Sequence, residues 1–224
     1  IPTVRGGLAP QELGVTLIHE HICFRYVGLP QTGGRYLEKA FQYNLRLLKQ
    51  AQEVGIQSIV DLTPWPNVPK LVELNALLPQ LNFILCTGAY IEGMGPQEIR
   101  ELSEAQMEEH MVRNLTAGYE GFESTGVKAG IIKVASRDQN ITPWEAKNFR
   151  AAARVQRRCR VPIAVHSVAG ALNQMELLRV SGADIAATFY SHVEAEFGWE
   201  GRTLQEQARY LEGIAREGGC LQFN

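Results

Sequence analysis

The sequence has no apolar run approaching the roughly 18 residues needed to cross a bilayer. It also has no Cys-x-x-Cys pair, no Gly-x-Gly-x-x-Gly turn after its first strand-like segment, no Gly-x-x-x-x-Gly-Lys-Ser/Thr loop and no Gly-x-Ser-x-Gly elbow. These absences exclude a membrane-spanning helix and a zinc knuckle or dithiol redox site, weaken the nucleotide-binding doubly wound folds and leave a serine hydrolase of the α/β type unsupported. Charge of one sign is missing too. Twenty-two Lys and Arg stand against 24 Asp and Glu, a net of −2, which provides no footprint for nucleic acid or anionic lipid. The four cysteines, Cys23, Cys86, Cys159 and Cys220, are far apart. That spacing fits reduced thiols and a cytoplasmic protein, with secretion left open. No charged-then-apolar leader follows Ile1, so the sequence is expected to begin inside a longer product or after processing.

At 224 residues, 45% of them hydrophobic and 21% charged, the chain can bury a sizeable core and has the composition of a globular domain. Short β-branched runs alternate with longer amphipathic stretches. The strand-like runs are Val15–Ile22, Gln57–Leu62, Asn82–Gly88, Gly130–Ala135, Pro162–His166, Thr188–His192 and Gly219–Phe223. Helical patterns lie near Tyr36–Val54, Val68–Leu78, Ser103–Gly118, Pro143–Cys159, Leu172–Ser181 and Leu204–Glu217. Three helix starts carry a capping box, Ser103 with Gln106, Thr142 with Glu145 and Thr203 with Glu206, and Pro143 stands at a first helical position. Gly55, Gly118, Gly182 and Gly218 follow helices, where a left-handed residue ends the last turn. This βαβα order predicts a parallel sheet. Without a dinucleotide turn, the α/β fold expected is a (β/α)8 TIM barrel, a single domain over residues 1–224. It is apparently truncated after the seventh strand, since such barrels run to about 250 residues.

Four of the five histidines, His19, His21, His166 and His192, fall at the C-terminal ends of strand-like runs, while His110 lies on a helix. In a parallel barrel those ends form the active-site face. His19 and His21 are two residues apart, so on a strand both imidazoles project to one side and Glu20 to the other. Neutral imidazole is a common ligand of zinc and similar divalent metals, and four at equivalent strand ends point to a metal site. Lys133 stands in the apolar run Gly130-Ile131-Ile132-Lys133-Val134-Ala135. A buried ammonium must find a partner or lose its proton. Three outcomes remain open from spacing alone: a Schiff-base amine, a carbamate formed with carbon dioxide, or a lysine reaching solvent from the strand end. Ser167 follows His166 but faces away on a strand.

Leu17-Ile18-His19-Glu20-His21, the Lys133 run, Pro162-Ile163-Ala164-Val165-His166 and Ser191-His192 together resemble the phosphotriesterase family of the amidohydrolase superfamily. The resemblance covers the whole chain in the family's order. It implies a barrel with two divalent metal ions, zinc first, with manganese, cobalt or iron as alternatives. His19 and His21 would ligate the buried ion, His166 and His192 the more exposed one, and Lys133, as N6-carboxylysine, would bridge both. A metal-bridging hydroxide would then cleave a small lactone, carboxylic ester or phosphotriester. The family's eighth-strand aspartate has no counterpart before Asn224, and the chain is expected to be a fragment. Tyr90 at the third strand end resembles the lactonase-like members and is the expected substrate-lining residue, with Trp65, Phe197 and Trp199 as further aromatics of the mouth. A homodimer is the family expectation. The alternatives are a catalytically silent metal-binding barrel and a mononuclear, deaminase-like amidohydrolase; a bridging lysine argues against the latter.

Overall fold

A computed structural model describes residues 1–23, 33–122, 126–168, 170–195 and 201–223. The chain divides into two compact units, residues 1–87 with 113–130, and residues 88–112 with 131–224. Among the described residues no helix is long and apolar enough to cross a membrane.

The first unit opens with a small antiparallel pair, β1 (Pro2–Thr3) and β2 (Gly6–Gly7), which the sequence reading did not foresee. Then come β3 (Thr16–Glu20), α1 (Gly33–Glu53), β4 (Ser58–Asp61), α2 (Val68–Leu77) and β5 (Asn82–Gly88). β3 pairs with β4 and β4 with β5, both parallel, with Ile59 opposite Leu17 and Phe83. Three steps along β3, from Leu17 to Glu20, match two along β4, from Ile59 to Asp61. This irregularity falls between Leu17 and Glu20, the stretch that contains His19. Every residue of β4 and β5 is buried, as expected of parallel strands covered on both faces. Ile59, Leu62, Leu71, Leu74, Phe83 and Leu85 form this unit's apolar interior. Asn67 begins α2 by accepting a hydrogen bond from the Lys70 amide, with Pro69 in the first turn, where its missing N–H costs nothing.

In the second unit, a short α3 (Gln97–Arg100) precedes α4 (Glu104–Thr116), whose last turn crosses into the first unit's residues. β6 (Ala129–Ala135), α5 (Pro143–Cys159), β7 (Ile163–His166), α6 (Ala171–Val180), β8 (Thr188–Ser191), α7 (Leu204–Arg216) and β9 (Cys220–Gln222) follow. β6, β7, β8 and β9 pair in that order, all parallel. Ala151, Ala152, Ala153 and Val155 of α5 are wholly buried; the small alanines let the helix approach its neighbours closely. The three capping boxes form as read, at Ser103/Gln106, Thr142/Glu145 and Thr203/Glu206. Gly55, Gly118, Gly182 and Gly218 all adopt positive φ. α5 has no glycine to end it, and Arg160 takes the left-handed position instead, at φ 55°. The sequence-read segment Arg25–Arg35 lies mostly outside the described residues, as do Phe197, Trp199 and Asn224.

Candidate metal centre

His19 is the fourth residue of β3 and His21 lies one residue past its end. Their ring centroids are 5.3 Å apart and the rings stand at 72°. His19 is half-buried and His21 exposed. The His21 Nδ1 lies 3.1 Å from the Thr63 hydroxyl, and the Thr63 amide donates to Asp61 Oδ1 at 2.9 Å. A buried carboxylate at the end of β4 thus orders the residue that meets His21. Burial pushes the Asp61 carboxyl up to about 6, opposed by its hydrogen bonds from Thr63. Nearby Cys23 is no thiolate at neutral pH, since burial pushes its thiol up to about 12. Trp65 follows β4 and is half-buried. All these residues belong to the first unit.

The second unit gathers Lys133, His166, His192 and Tyr90. His166 is the last residue of β7, and its ring lies 4.7 Å from that of His192 at an interplanar angle of 68°. The Tyr90 hydroxyl is 3.1 Å from His166 Nε2, with the rings 5.0 Å apart. Burial pushes the Tyr90 phenol up, against the Arg137 guanidinium, so at neutral pH it is a neutral hydroxyl able to donate to an imidazole. His192 follows β8 directly and has φ 65°. A non-glycine residue in that region is uncommon and strained, and such strain concentrates at functional sites. Burial holds the His192 imidazole below its usual range, and the charge of Lys133 lowers it further. The neutral form that results is the one that ligates metals.

Lys133 is wholly buried in the C-terminal half of β6, so of the outcomes its spacing left open, a lysine reaching solvent does not occur. Its carbonyl accepts the Ala89 amide at 3.0 Å. Gly88 makes that contact possible. With φ +130°, a Cβ there would stand 2.0 Å from the Lys133 carbonyl oxygen. Glycine at the end of β5, two residues before Tyr90, therefore lets the two backbones meet and directs the chain that carries the phenol. The following loop is held by Glu145, a wholly buried carboxylate. It accepts from the amides of Glu92 at 3.2 Å, Arg137 at 3.1 Å and Thr142 at 3.1 Å. The sequence exposed Glu145 as a cap, but not as the tie between the loops after β5 and β6.

Among the described residues no group of three or more His, Cys, Asp or Glu side chains is assembled that could hold a metal ion. The structure brings His19 to His21, and His166 to His192 and Tyr90; the two histidine pairs belong to different units. The donor set still suits a divalent cation. Each pair offers two adjacent imidazoles, and a wholly buried lysine amine influences one of them. His110 lies on α4, apart from the strand ends, as its position predicts.

Comparison with known proteins bears on this arrangement. A solved structure of a mutant lactonase of the phosphotriesterase-like type from Deinococcus radiodurans is 33% identical, with a TM-score of 0.78 over 98% of this chain and 69% of its own. A phosphotriesterase homology protein of Mycobacterium tuberculosis is 28% identical over 85% of this chain. An N-acetyltaurine hydrolase of Dictyostelium discoideum is 25% identical over the whole chain and 72% of its own length. The chain spans 62% of the length of the mycobacterial relative. The α/β fold is that of a (β/α)8 barrel, with seven parallel strands among the described residues. The model of the phosphotriesterase family matches residues 1–216, and the chain belongs to that family.

Proposed function

We propose that the chain carries the metal-binding residues of a metal-dependent hydrolase acting on a small lactone or carboxylic ester, with phosphotriesters as the neighbouring substrate class. One observation carries the reading: His166, His192 and Tyr90 pack together where two parallel strands end, and His192 adopts a strained backbone beside a buried Lys133. Family membership and the lactonase likeness support it. In this reading His19 and His21 would hold one ion and His166 and His192 the other, and Lys133, as N6-carboxylysine, would supply an anionic oxygen ligand. When bound, such a pair of cations supplies Lewis-acid polarisation of the scissile group and makes nearby water easier to ionise.

The chain's own residues do the rest. Tyr90 holds His166 through Nε2 and thereby fixes the plane of its ring. The neutral phenol also stands ready to donate to a substrate oxygen when it leaves the imidazole. Gly88 and Glu145 fix the two ends of the segment that carries Tyr90.

The test is metal analysis of the purified protein, with hydrolysis assayed on a lactone, an aryl carboxylic ester, a phosphotriester and an N-acyl amide. Two equivalents of zinc, manganese, cobalt or iron are expected, with lactone or ester turnover lost to a chelator. Lys133→Ala is expected to lose the paired occupancy and to regain part of it with a small added carboxylate. A folded protein that holds no metal would overturn the reading. One tightly held ion untouched by Lys133→Ala would replace it with a mononuclear site, and turnover confined to the amide would move the substrate class.

A further inference from the structure

We infer that Gln174 is a positioning residue for the candidate metal site, setting the strand ends that carry Lys133, His166 and His192. The inference rests on the metal-dependent reading above. Gln174 is on α6 and is wholly buried. Its Nε2 donates to the Ser136 hydroxyl at 2.7 Å and to the His166 carbonyl at 3.0 Å. Its Oε1 accepts from the Ser167 hydroxyl at 2.7 Å. Both amide hydrogens and the amide oxygen are therefore used, as a buried carboxamide requires.

The partners are what give the residue its meaning. Ser136 stands just past the end of β6, three residues beyond Lys133. Ser167 follows His166, and its amide donates to the Ser191 carbonyl at 3.0 Å, the peptide oxygen immediately before His192. One carboxamide thus bonds a hydroxyl three residues past Lys133 and the peptide carbonyl of His166, and through Ser167 it is linked to the peptide that precedes His192. Nothing in the helix pattern of α6 marks Gln174, since a polar residue there reads as solvent-facing. Yet an error of about 1 Å in a ligand's place is enough to weaken a site, and the backbone of His166 is the anchor from which its imidazole is aimed.

The same fold supplies an internal control. Gln156, on α5, is also buried. Its Nε2 donates to the carbonyls of Asp184 at 3.0 Å and Ala187 at 3.1 Å, and its Oε1 accepts the Asp184 amide at 2.8 Å. It makes equivalent bonds at the N-terminal end of β8, away from His192. In parallel barrels that end serves stability and the other end serves function.

The experiment is a zinc titration of the wild-type protein, Gln174→Met and Gln156→Met, with thermal melting of each. Gln174→Met is expected to weaken the more loosely held zinc about 10–100-fold, the usual effect of removing a group that orients a ligand. Gln156→Met is expected to lower the melting temperature comparably and leave zinc affinity unchanged. Zinc affinity equal to wild type in Gln174→Met, or an equal loss in both variants, would overturn the inference. Should Gln174→Met fail to fold, Gln174→Glu is read in its place; it keeps the acceptor for Ser167 and removes the donor to His166. A wild-type protein that binds no zinc or other divalent metal overturns the metal-site reading itself, a result distinct from equal affinities in wild type and variant.

Discussion

Single residues in this protein matter most where a backbone approach leaves no room for choice. Gly88 and Gly55 both have positive φ, +130° and +93°, but a Cβ at Gly88 would collide with the Lys133 carbonyl, whereas at Gly55 it would meet nothing within 4 Å. Gly55→Ala is therefore expected to cost only its backbone strain, about 1 kcal/mol. Gly88→Ala adds a collision with main chain that cannot swing aside and is expected to cost about 2–4 kcal/mol. Urea unfolding of the two variants measures the difference; equal costs would mean that the Gly88–Lys133 approach is not as tight as described. Lys133 itself illustrates the same scale. Its neighbours in sequence are apolar, so burial was foreseeable, but the chemical state of a buried amine follows from what surrounds it in space.

At the scale of elements, α4 and α5 are joined by a charged lattice. Glu104 accepts from Arg150 at 2.6 Å and from Arg154 at 2.7 Å, and Arg154 also reaches Glu108 at 2.7 Å. All four side chains keep roughly a quarter to two-fifths of their surface in water, so the lattice contributes modestly. Glu104→Gln is expected to cost about 0.5–1 kcal/mol at neutral pH. The hydrogen bond from Arg150, helped by that from Arg154 and opposed by burial, holds the Glu104 carboxyl below its ordinary value of 4.5. A depressed carboxylate contributes stability above its unfolded value and loses it as the pH falls through the folded one. The gap in melting temperature between wild type and Glu104→Gln should therefore be full at pH 7 and close below pH 4.5, and it should narrow at high salt. A gap that persists in acid would show that packing, not charge, joins the helices. Helix ends are the most local elements of all. Thr142 with Glu145 and Thr203 with Glu206 pair across three residues, and such contacts need no tertiary structure to form.

For the molecule as a whole, ligand linkage is the measurable quantity. A cation that binds the native chain and not the unfolded one adds about 2.7 kcal/mol of stability at a hundredfold excess over its dissociation constant. In a chain of 224 residues that corresponds to about 5–10 °C in melting temperature. Stripping the protein with a chelator is expected to lower its melting temperature by this order, and zinc is expected to restore it. Melting that ignores both treatments would separate this chain from the metal-dependent reading even if the fold were unchanged. The aromatic positions Phe197 and Trp199 lie outside the described residues, whereas Tyr90 meets His166.

What the amino-acid sequence determined by itself was the order and type of the seven sheet strands and the six longer helices, three of the helix starts, four of the glycine endings and the family. These follow from signals acting over a few residues: alternation, caps, turns and motif spacing. The two-residue spacing of His19 and His21 was enough to predict adjacent rings, even though β3 loses its regular register between Leu17 and Glu20. Only the tertiary structure decided that Gly88 meets the Lys133 carbonyl, that Glu145 ties two loops, and that Gln174 reaches Ser136, 38 residues away. A glutamine or glutamate on a helix looks alike in sequence whether it faces water or accepts buried amides. Its role is set by which backbone groups packing leaves without partners, and that is a property of the folded chain rather than of any segment within it.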